Sequence, residues 1–272
     1  MMQNTRKQPS DREQEFERLN IQSKTWEPDT EFLLDQIGVQ PGWKCADLGC
    51  GPTGVLLPLS QRVGAQGEVW GVDSNPLSLK VTRRFVQQNG LHNVKLIQGN
   101  FFAHQLKPHS FDLIHVRFVF THLGCDLKLL DQMINLTRAG GVVISQESDW
   151  STWNCYPISK AWDQLRDALI QVFMLDGGDI NAGQRNFHML RNAGLLDVQV
   201  RSSVLALPVD HPYRYGMNLL ARALHNRIIE NKILQEKKFI ELTSEVDREM
   251  SDPNVVVISY LLSQVWGKVG KT

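Results

Sequence analysis

The stretch that most constrains this chain is Asp47-Leu48-Gly49-Cys50-Gly51-Pro52-Thr53-Gly54, which joins an apolar run at Trp43 to Leu48 to a helix-compatible segment at Gly54 to Val63. Gly49, Gly51 and Gly54 stand at G-x-G-x-x-G spacing. Glycine at such places lets the backbone turn tightly and approach a ligand closely. Further short apolar runs follow at Glu68 to Val72, Val94 to Gln98, Leu113 to Val116 and Val142 to Ser145. Runs of that length suit strands buried on both faces. Between them, Pro76 to Asn89 and Asp126 to Thr137 suit helices, with Gly90 and Gly140-Gly141 just beyond their ends. This alternation predicts an α/β domain with a doubly wound, mostly parallel sheet.

The flanks read differently. Ser10 and Glu13 have capping-box spacing, so a helix is expected from about Asp11. Glu27-Pro28 is expected to break it, with a second helix over Asp29 to Ile37 closed by Gly38. Beyond Ser145, residues 147 to 192 look largely helical. Leu196 to Leu207 reads as a strand, Tyr215 to Met250 as a long amphipathic helical region stopped at Asp252-Pro253, and Val255 to Trp266 as a final strand. The expected organisation is one domain over 1–272. It comprises N-terminal helices (1–40), a core (41–147), a helical cap (148–192), and late strands (193–272) carrying a helical insertion at about 212–250, placed to act as a lid.

Composition narrows the function classes. Lys plus Arg and Asp plus Glu both number 29, a balance that argues against a dedicated nucleic-acid binder. No run approaches the ~20 apolar residues of a spanning helix, so no membrane insertion is expected. Met1 to Ser10 is polar and shows no secretory signal. Cys45, Cys50, Cys125 and Cys155 form no CxxC pair, which suits reduced thiols and a cytoplasmic setting. His188, His211 and His225 show no ligand spacing, so no metal site is expected.

Asp73 ends the second apolar run, 24 residues after Gly49 (73 − 49). That offset suits a carboxylate reaching a ribose hydroxyl pair, so a nucleoside cofactor is expected across the first two strands. A pyrophosphate wants free backbone donors at a helix start. Here Asp47 adds a negative charge and Pro52 removes a donor. The combination favours a cofactor with a positive charge and an amino group, S-adenosyl-L-methionine, over a nicotinamide dinucleotide.

The motifs resemble those of class I S-adenosylmethionine-dependent methyltransferases, small-molecule type, similar to the quinone-biosynthesis enzymes. Asp47 to Gly54 is similar to the first signature motif and Val72-Asp73 to the second. Gly99-Asn100 stands where the family usually has Gly-Asp, Phe111 to Leu123 resembles the fourth-strand motif, and Arg138 to Gly141 stands before strand five. The resemblance runs from Trp43 to Glu147. It implies a Rossmann-like sheet of seven strands and methyl transfer to a small, partly hydrophobic acceptor, with O-, N- and C-attack all open. The same loop would serve a relative that binds S-adenosylmethionine without transferring its methyl group.

The resemblance also implies roles. Gly49, Cys50 and Gly51 would pass under the methionine portion, Asp73 would bind the ribose, and Ser74, Asn100 and Phe101 would surround the adenine. The backbone at Val116 and Arg117 would accept from the cofactor's amino group. His122, just past the fourth strand, is the candidate base. Arg117 is a candidate for holding a carboxylate, and His115 reads as a satisfied core histidine. Glu147 and Asp149 face the expected substrate side or cap a helix. Trp150, Trp153, Tyr156, Trp162, Phe173 and Met174 line an apolar acceptor pocket, pack the cap, or both. The expected partner is a small molecule, and the expected state a monomer or homodimer.

Overall fold

The computed structural model describes residues 11–102 and 106–270. In chain order the elements are α1 (Asp11–Ile37), β1 (Lys44–Leu48), α2 (Leu56–Val63), β2 (Glu68–Asp73), α3 (Pro76–Gln88), β3 (Val94–Gln98), β4 (Phe111–Arg117) and α4 (Phe120–Leu123). There follow α5 (Leu127–Leu136), β5 (Thr137–Asp149), β6 (Asn154–Tyr156), α6 (Lys160–Leu175), α7 (Ala182–Asn192), β7 (Leu196–Ser203) and β8 (Ala206–Leu207). The chain closes with α8 (Gly216–Ala223), α9 (His225–Glu230), α10 (Glu236–Met250), β9 (Val256–Ile258) and β10 (Leu261–Lys268).

The seven-stranded sheet has the order β3-β2-β1-β4-β5-β10-β7. All its pairings from β3 to β5 are parallel, and β10 runs antiparallel to both its neighbours. The order reverses between β1 and β4, and the carboxyl ends of strands at such a switch point form the natural ligand crevice. Ala46, Leu48, Leu113, Ile114, Val143 and Ile144 are fully buried, as a sheet covered on both faces requires. α3 starts cleanly because Pro76 follows Asn75, whose side chain accepts from the Leu77 and Ser78 N–H groups at 2.9 and 3.4 Å.

Several expectations at the flanks are corrected. Pro28 does not break the first helix; α1 runs through it. Pro28 and Lys24 are both exposed, so the Lys24 carbonyl that loses its partner can bond to water instead. Trp26 before the proline and Leu33 and Leu34 after it are fully buried, which ties both halves to the core. Ser10 lies outside the described residues, so the expected capping box is not described. The stretch expected as one strand over 196–207 is split into β7 and β8, and the final strand into β9 and β10. The released pieces β8 and β9 join β6 in a three-stranded sheet, β6-β9-β8, that belongs to the cap. The region 215–250 is helical as expected, in three pieces, α8, α9 and α10.

Two apolar clusters cover the faces of the large sheet. A third joins α6, α8, α10 and the small sheet around Trp26, Trp153, Trp162 and Tyr260. Through Trp26 and Leu33, α1 contributes to both the cap cluster and one sheet face.

Candidate active site

A cavity of about 270 Å³ opens at the carboxyl ends of β1 and β4. Its floor is the glycine loop, Gly49 to Gly54. Its walls come from α1 (Arg18, Leu19, Gln22, Ser23), from the turn after β4 (Phe118, Val119, Thr121, His122), and from the cap (Trp150, Trp153, Phe173, Tyr213, Tyr260).

The loop is shaped by its own backbone. Gly49 and Cys50 N–H groups both donate to the Val72 carbonyl, at 2.8 and 3.0 Å. The Gly51 N–H donates to Asp73 Oδ2 at 2.8 Å, and Pro52 has no N–H to offer. Gly49 to Pro52 therefore offer no free donor to a pyrophosphate. Gly51 has φ +58°, and a Cβ there would meet no protein atom within 4 Å, so the space above it is open to a ligand. At Gly54 (φ +52°) a Cβ would fall 2.3 Å from Asp47 Oδ2, so this glycine is needed for packing rather than for binding.

Asp47 is buried and holds two groups: its Oδ2 accepts from the Val55 N–H at 3.1 Å and its Oδ1 contacts His115 Nδ1 at 2.8 Å. The other ring nitrogen of His115 meets Gln146 Nε2 at 2.7 Å. An amide NH2 can only donate, so His115 carries its proton on Nδ1, facing Asp47. It is the satisfied core histidine expected.

Arg117, at the end of β4, donates to Ser23 Oγ at 2.9 Å, Thr30 Oγ1 at 3.3 Å and the Gly54 carbonyl at 3.4 Å. All three are neutral, and burial lowers its pKa. A guanidinium lining a cavity without a carboxylate contact among the described residues is poised for an anionic ligand group.

His122 has accessible surface, but it lines the cavity and its ring stacks on Phe173 with centroids 5.1 Å apart. Burial among these walls, helped by the Arg18 charge, lowers its pKa to about 4. It is a neutral imidazole at physiological pH.

The structure gathers Gly49, Cys50, Gly51, Phe101, Arg117, His122, Trp150 and Trp153 on one cavity wall set. Asp73, Ser74 and Asn100 lie outside that lining, at the ends of β2 and β3, where Gln98 pairs with Asp73 in register. Asn100 Oδ1 accepts from the Phe102 N–H at 3.1 Å. The Val116 side chain is in the core.

Glu147 is a correction: it does not face a substrate. It is fully buried, and its carboxylate accepts from the N–H groups of Val119, Phe120 and Thr121 at 2.8, 2.9 and 2.9 Å and from Thr121 Oγ1 at 2.6 Å. It caps the turn that carries His122. Asp149 likewise caps, through Ser151 N–H at 2.9 Å. Of the aromatic residues, Trp162 is core, Tyr156 and Met174 are exposed, and Phe173, Trp150 and Trp153 both pack the cap and line the cavity.

Sequence reading missed Arg18, Gln22, Tyr213 and Tyr260. Arg18 and Gln22 stand at i, i+4 spacing on α1, which places them on one helix face. Nothing local marks the two tyrosines, which meet only through the fold.

A sheet in this order, with a glycine loop at its switch point, is a frame that binds nucleoside cofactors. The profile of the methyltransferase domain family matches residues 40–193, and the chain belongs to that family. It is 32% identical over 120 residues to the demethylmenaquinone methyltransferase of Geobacillus stearothermophilus, covering 44% of this chain and 51% of that one. The chain spans about half the length of the first curated relatives it matches.

Among solved structures, it superposes on phosphoethanolamine N-methyltransferase 2 of Haemonchus contortus in complex with S-adenosyl-L-methionine, with TM-score 0.56 and 15% identity. That match covers 90% of this chain and 53% of the other. It also superposes on the YcgJ protein of Bacillus subtilis, with TM-score 0.56 and 17% identity over 88% and 97% of the two chains. At these identities the structural matches show the fold. No helix among the described residues is long and apolar enough to cross a membrane, and they contain no cluster of metal-binding side chains.

Proposed function

We propose that the protein transfers a methyl group from S-adenosyl-L-methionine to a small, partly hydrophobic acceptor, at an oxygen, nitrogen or carbon. The observation that carries this reading is the joining of two unlike surfaces in one cavity: the open glycine floor with Arg117 at one end, and the tryptophan, phenylalanine and tyrosine wall at the other.

The residues present fit the cofactor. Gly51 leaves open space above the loop, and Arg117 offers a cation with only neutral partners. Gly49, Cys50 and Gly51 would underlie the methionine portion, and Arg117 would hold its carboxylate. The backbone at Val116 and Arg117 would accept from its amino group. Asp73 would hold the ribose, with Ser74, Asn100 and Phe101 around the adenine. When bound, the cofactor supplies an electrophilic methyl group already activated on sulfur. The protein's part is alignment and exclusion of water, which account for much of such a rate. His122 offers a neutral ring nitrogen to an acceptor's proton. Its low proton affinity means that a proton taken there passes on to solvent. A cytoplasmic, monomeric or homodimeric enzyme acting on a small molecule completes the proposal.

The test is calorimetric titration of the cofactor-stripped protein with S-adenosylmethionine, S-adenosylhomocysteine and NAD in parallel. Binding of the first two without NAD is expected. Binding of NAD alone would sink the proposal.

A further inference from the structure

The cap end of the cavity holds a hydrogen-bond network that cannot satisfy itself. Tyr260 Oη receives Trp26 Nε1 at 2.8 Å and Gln22 Nε2 at 2.9 Å. It also lies 2.7 Å from Tyr213 Oη, which Gln22 Nε2 reaches at 3.3 Å. Indole and amide nitrogens only donate. The Gln22 amide is oriented by Arg18, whose Nη1 faces Gln22 Oε1 at 3.5 Å, so its NH2 points at the tyrosines. The two phenols carry two protons and share a single bond between them. With Tyr213 donating, the Tyr260 proton has no protein acceptor among the described residues. Reversing the bond only moves the unpaired proton to Tyr213.

Arg18 adds to this excess of donors. Its Nε and Nη2 are held by Glu15 at 2.7 Å each, and its remaining N–H groups have only the long Gln22 contact. Both phenols and Arg18 are buried and line the cavity. Burial keeps both phenols protonated, since it raises the pKa of each. Around them stand Trp153, Phe118 and Leu220, which give the same end an apolar body.

We propose that this end of the cavity is a donor-only subsite that selects an apolar acceptor molecule carrying an unprotonated oxygen, a carbonyl or an ionised hydroxyl or carboxylate, bound by the phenol proton that the Tyr213–Tyr260 pair cannot place and by Arg18. The inference rests on reading this cavity as the acceptor site. It adds what that site recognises: molecules of equal size and greasiness are sorted by whether they present a lone pair or a proton.

The experiment measures affinities of 2-acetylnaphthalene and 2-isopropenylnaphthalene, a neutral molecule of the same shape with CH2 in place of the carbonyl oxygen, by quenching of tryptophan fluorescence, with and without saturating S-adenosylhomocysteine. The ketone is expected to bind at least about tenfold more tightly than the hydrocarbon, the scale of one or two buried hydrogen bonds gained. Equal affinities, or a preference for the hydrocarbon, would overturn the subsite.

Variants sharpen the test. Tyr213→Phe removes one donor and one acceptor together and leaves the Tyr260 proton in place, so the preference should hold within about threefold. Tyr213→Phe/Tyr260→Phe should cut the preference by at least about fivefold, to what Arg18 alone supplies, while leaving S-adenosylhomocysteine affinity unchanged; a double variant that binds the cofactor product and keeps the full preference overturns the proposal. If the double variant does not fold, the wild-type comparison still decides. Failure to bind S-adenosylhomocysteine with the ketone preference intact would overturn the functional reading and support the subsite.

Discussion

Asp73 Oδ2 accepts the Gly51 N–H at 2.8 Å, so the carboxylate at the end of β2 clamps the loop that follows β1. Its Oδ1 accepts the Asn75 N–H at 2.7 Å. Each carboxylate oxygen retains a second lone pair, which leaves room for a ribose hydroxyl. Asp73→Ala is therefore expected to weaken S-adenosylhomocysteine binding by about 1–3 kcal/mol. Calorimetry checks it, and unchanged affinity would mean that the ribose lies elsewhere.

Gly51→Ala separates folding from binding. The added methyl meets no protein atom, so the stability cost is that of a left-handed alanine, about 1–2 kcal/mol. The methyl would occupy the ligand's side of the loop, and cofactor affinity should drop by at least about tenfold through overlap. Thermal denaturation and calorimetry on the same sample give both numbers.

Arg117→Met keeps the length of the stem and removes the charge. If the guanidinium holds the cofactor's carboxylate, affinity for S-adenosylhomocysteine should fall by about 2–4 kcal/mol. Affinity for 5′-methylthioadenosine, which has no carboxylate, should stay the same. Equal losses for both ligands would make Arg117 a structural residue.

Glu147 gives the fold a pH signature. Burial pushes its pKa up to about 7 from 4.5, so the folded state holds the proton more tightly than the unfolded chain. Its stabilising contribution is complete below pH 4.5 and is lost as pH rises through 7, by about 3 kcal/mol. Denaturant melts of wild type and Glu147→Gln across pH 5 to 8 test this: the slope should flatten in the variant. An unchanged slope would assign it to another group.

His122, with its pKa lowered to about 4, should show an NMR titration midpoint near that value, well below a free histidine. His122→Ala should leave cofactor affinity within about twofold and slow turnover of a methylated acceptor by the ~10²-fold or more typical of a lost general base. Turnover equal to wild type would remove it from the chemistry.

The core of this fold was legible because its rules are local. A buried parallel strand is a short apolar run, and a glycine turn with an aspartate at the next strand end marks the switch point. The flanks were less legible because their outcomes are set by tertiary contacts. Pro28 is tolerated because it and Lys24, whose carbonyl it leaves without a helix partner, lie on the exposed side of α1, a fact about the helix's orientation and not its sequence. The run 255–266 is apolar throughout, and only packing decides that Val256–Ile258 and Leu261–Lys268 serve different sheets.

The site divides the same way. Arg117 and His122 follow from their places at the end of β4 and just past it, whereas the Tyr213–Tyr260 pair joins residues 47 positions apart. Glu147 misled because an acidic residue just past the apolar run Val142 to Ser145 reads equally as a cap or a binding group, whereas β5 runs on through it to Asp149. Three backbone N–H groups at its carboxylate decide for the cap.

Tyr260 sits in the short joint between β9 in the small sheet and β10 in the large one. The cap wall of the cavity and the large sheet that carries its floor are thus stitched by one continuous thread of chain. For an engineer seeking a new acceptor range, this cap is no exchangeable cassette. Swapping it whole would cut the lead-in to a strand held between two others in the large sheet, so retuning has to proceed side chain by side chain along the seam.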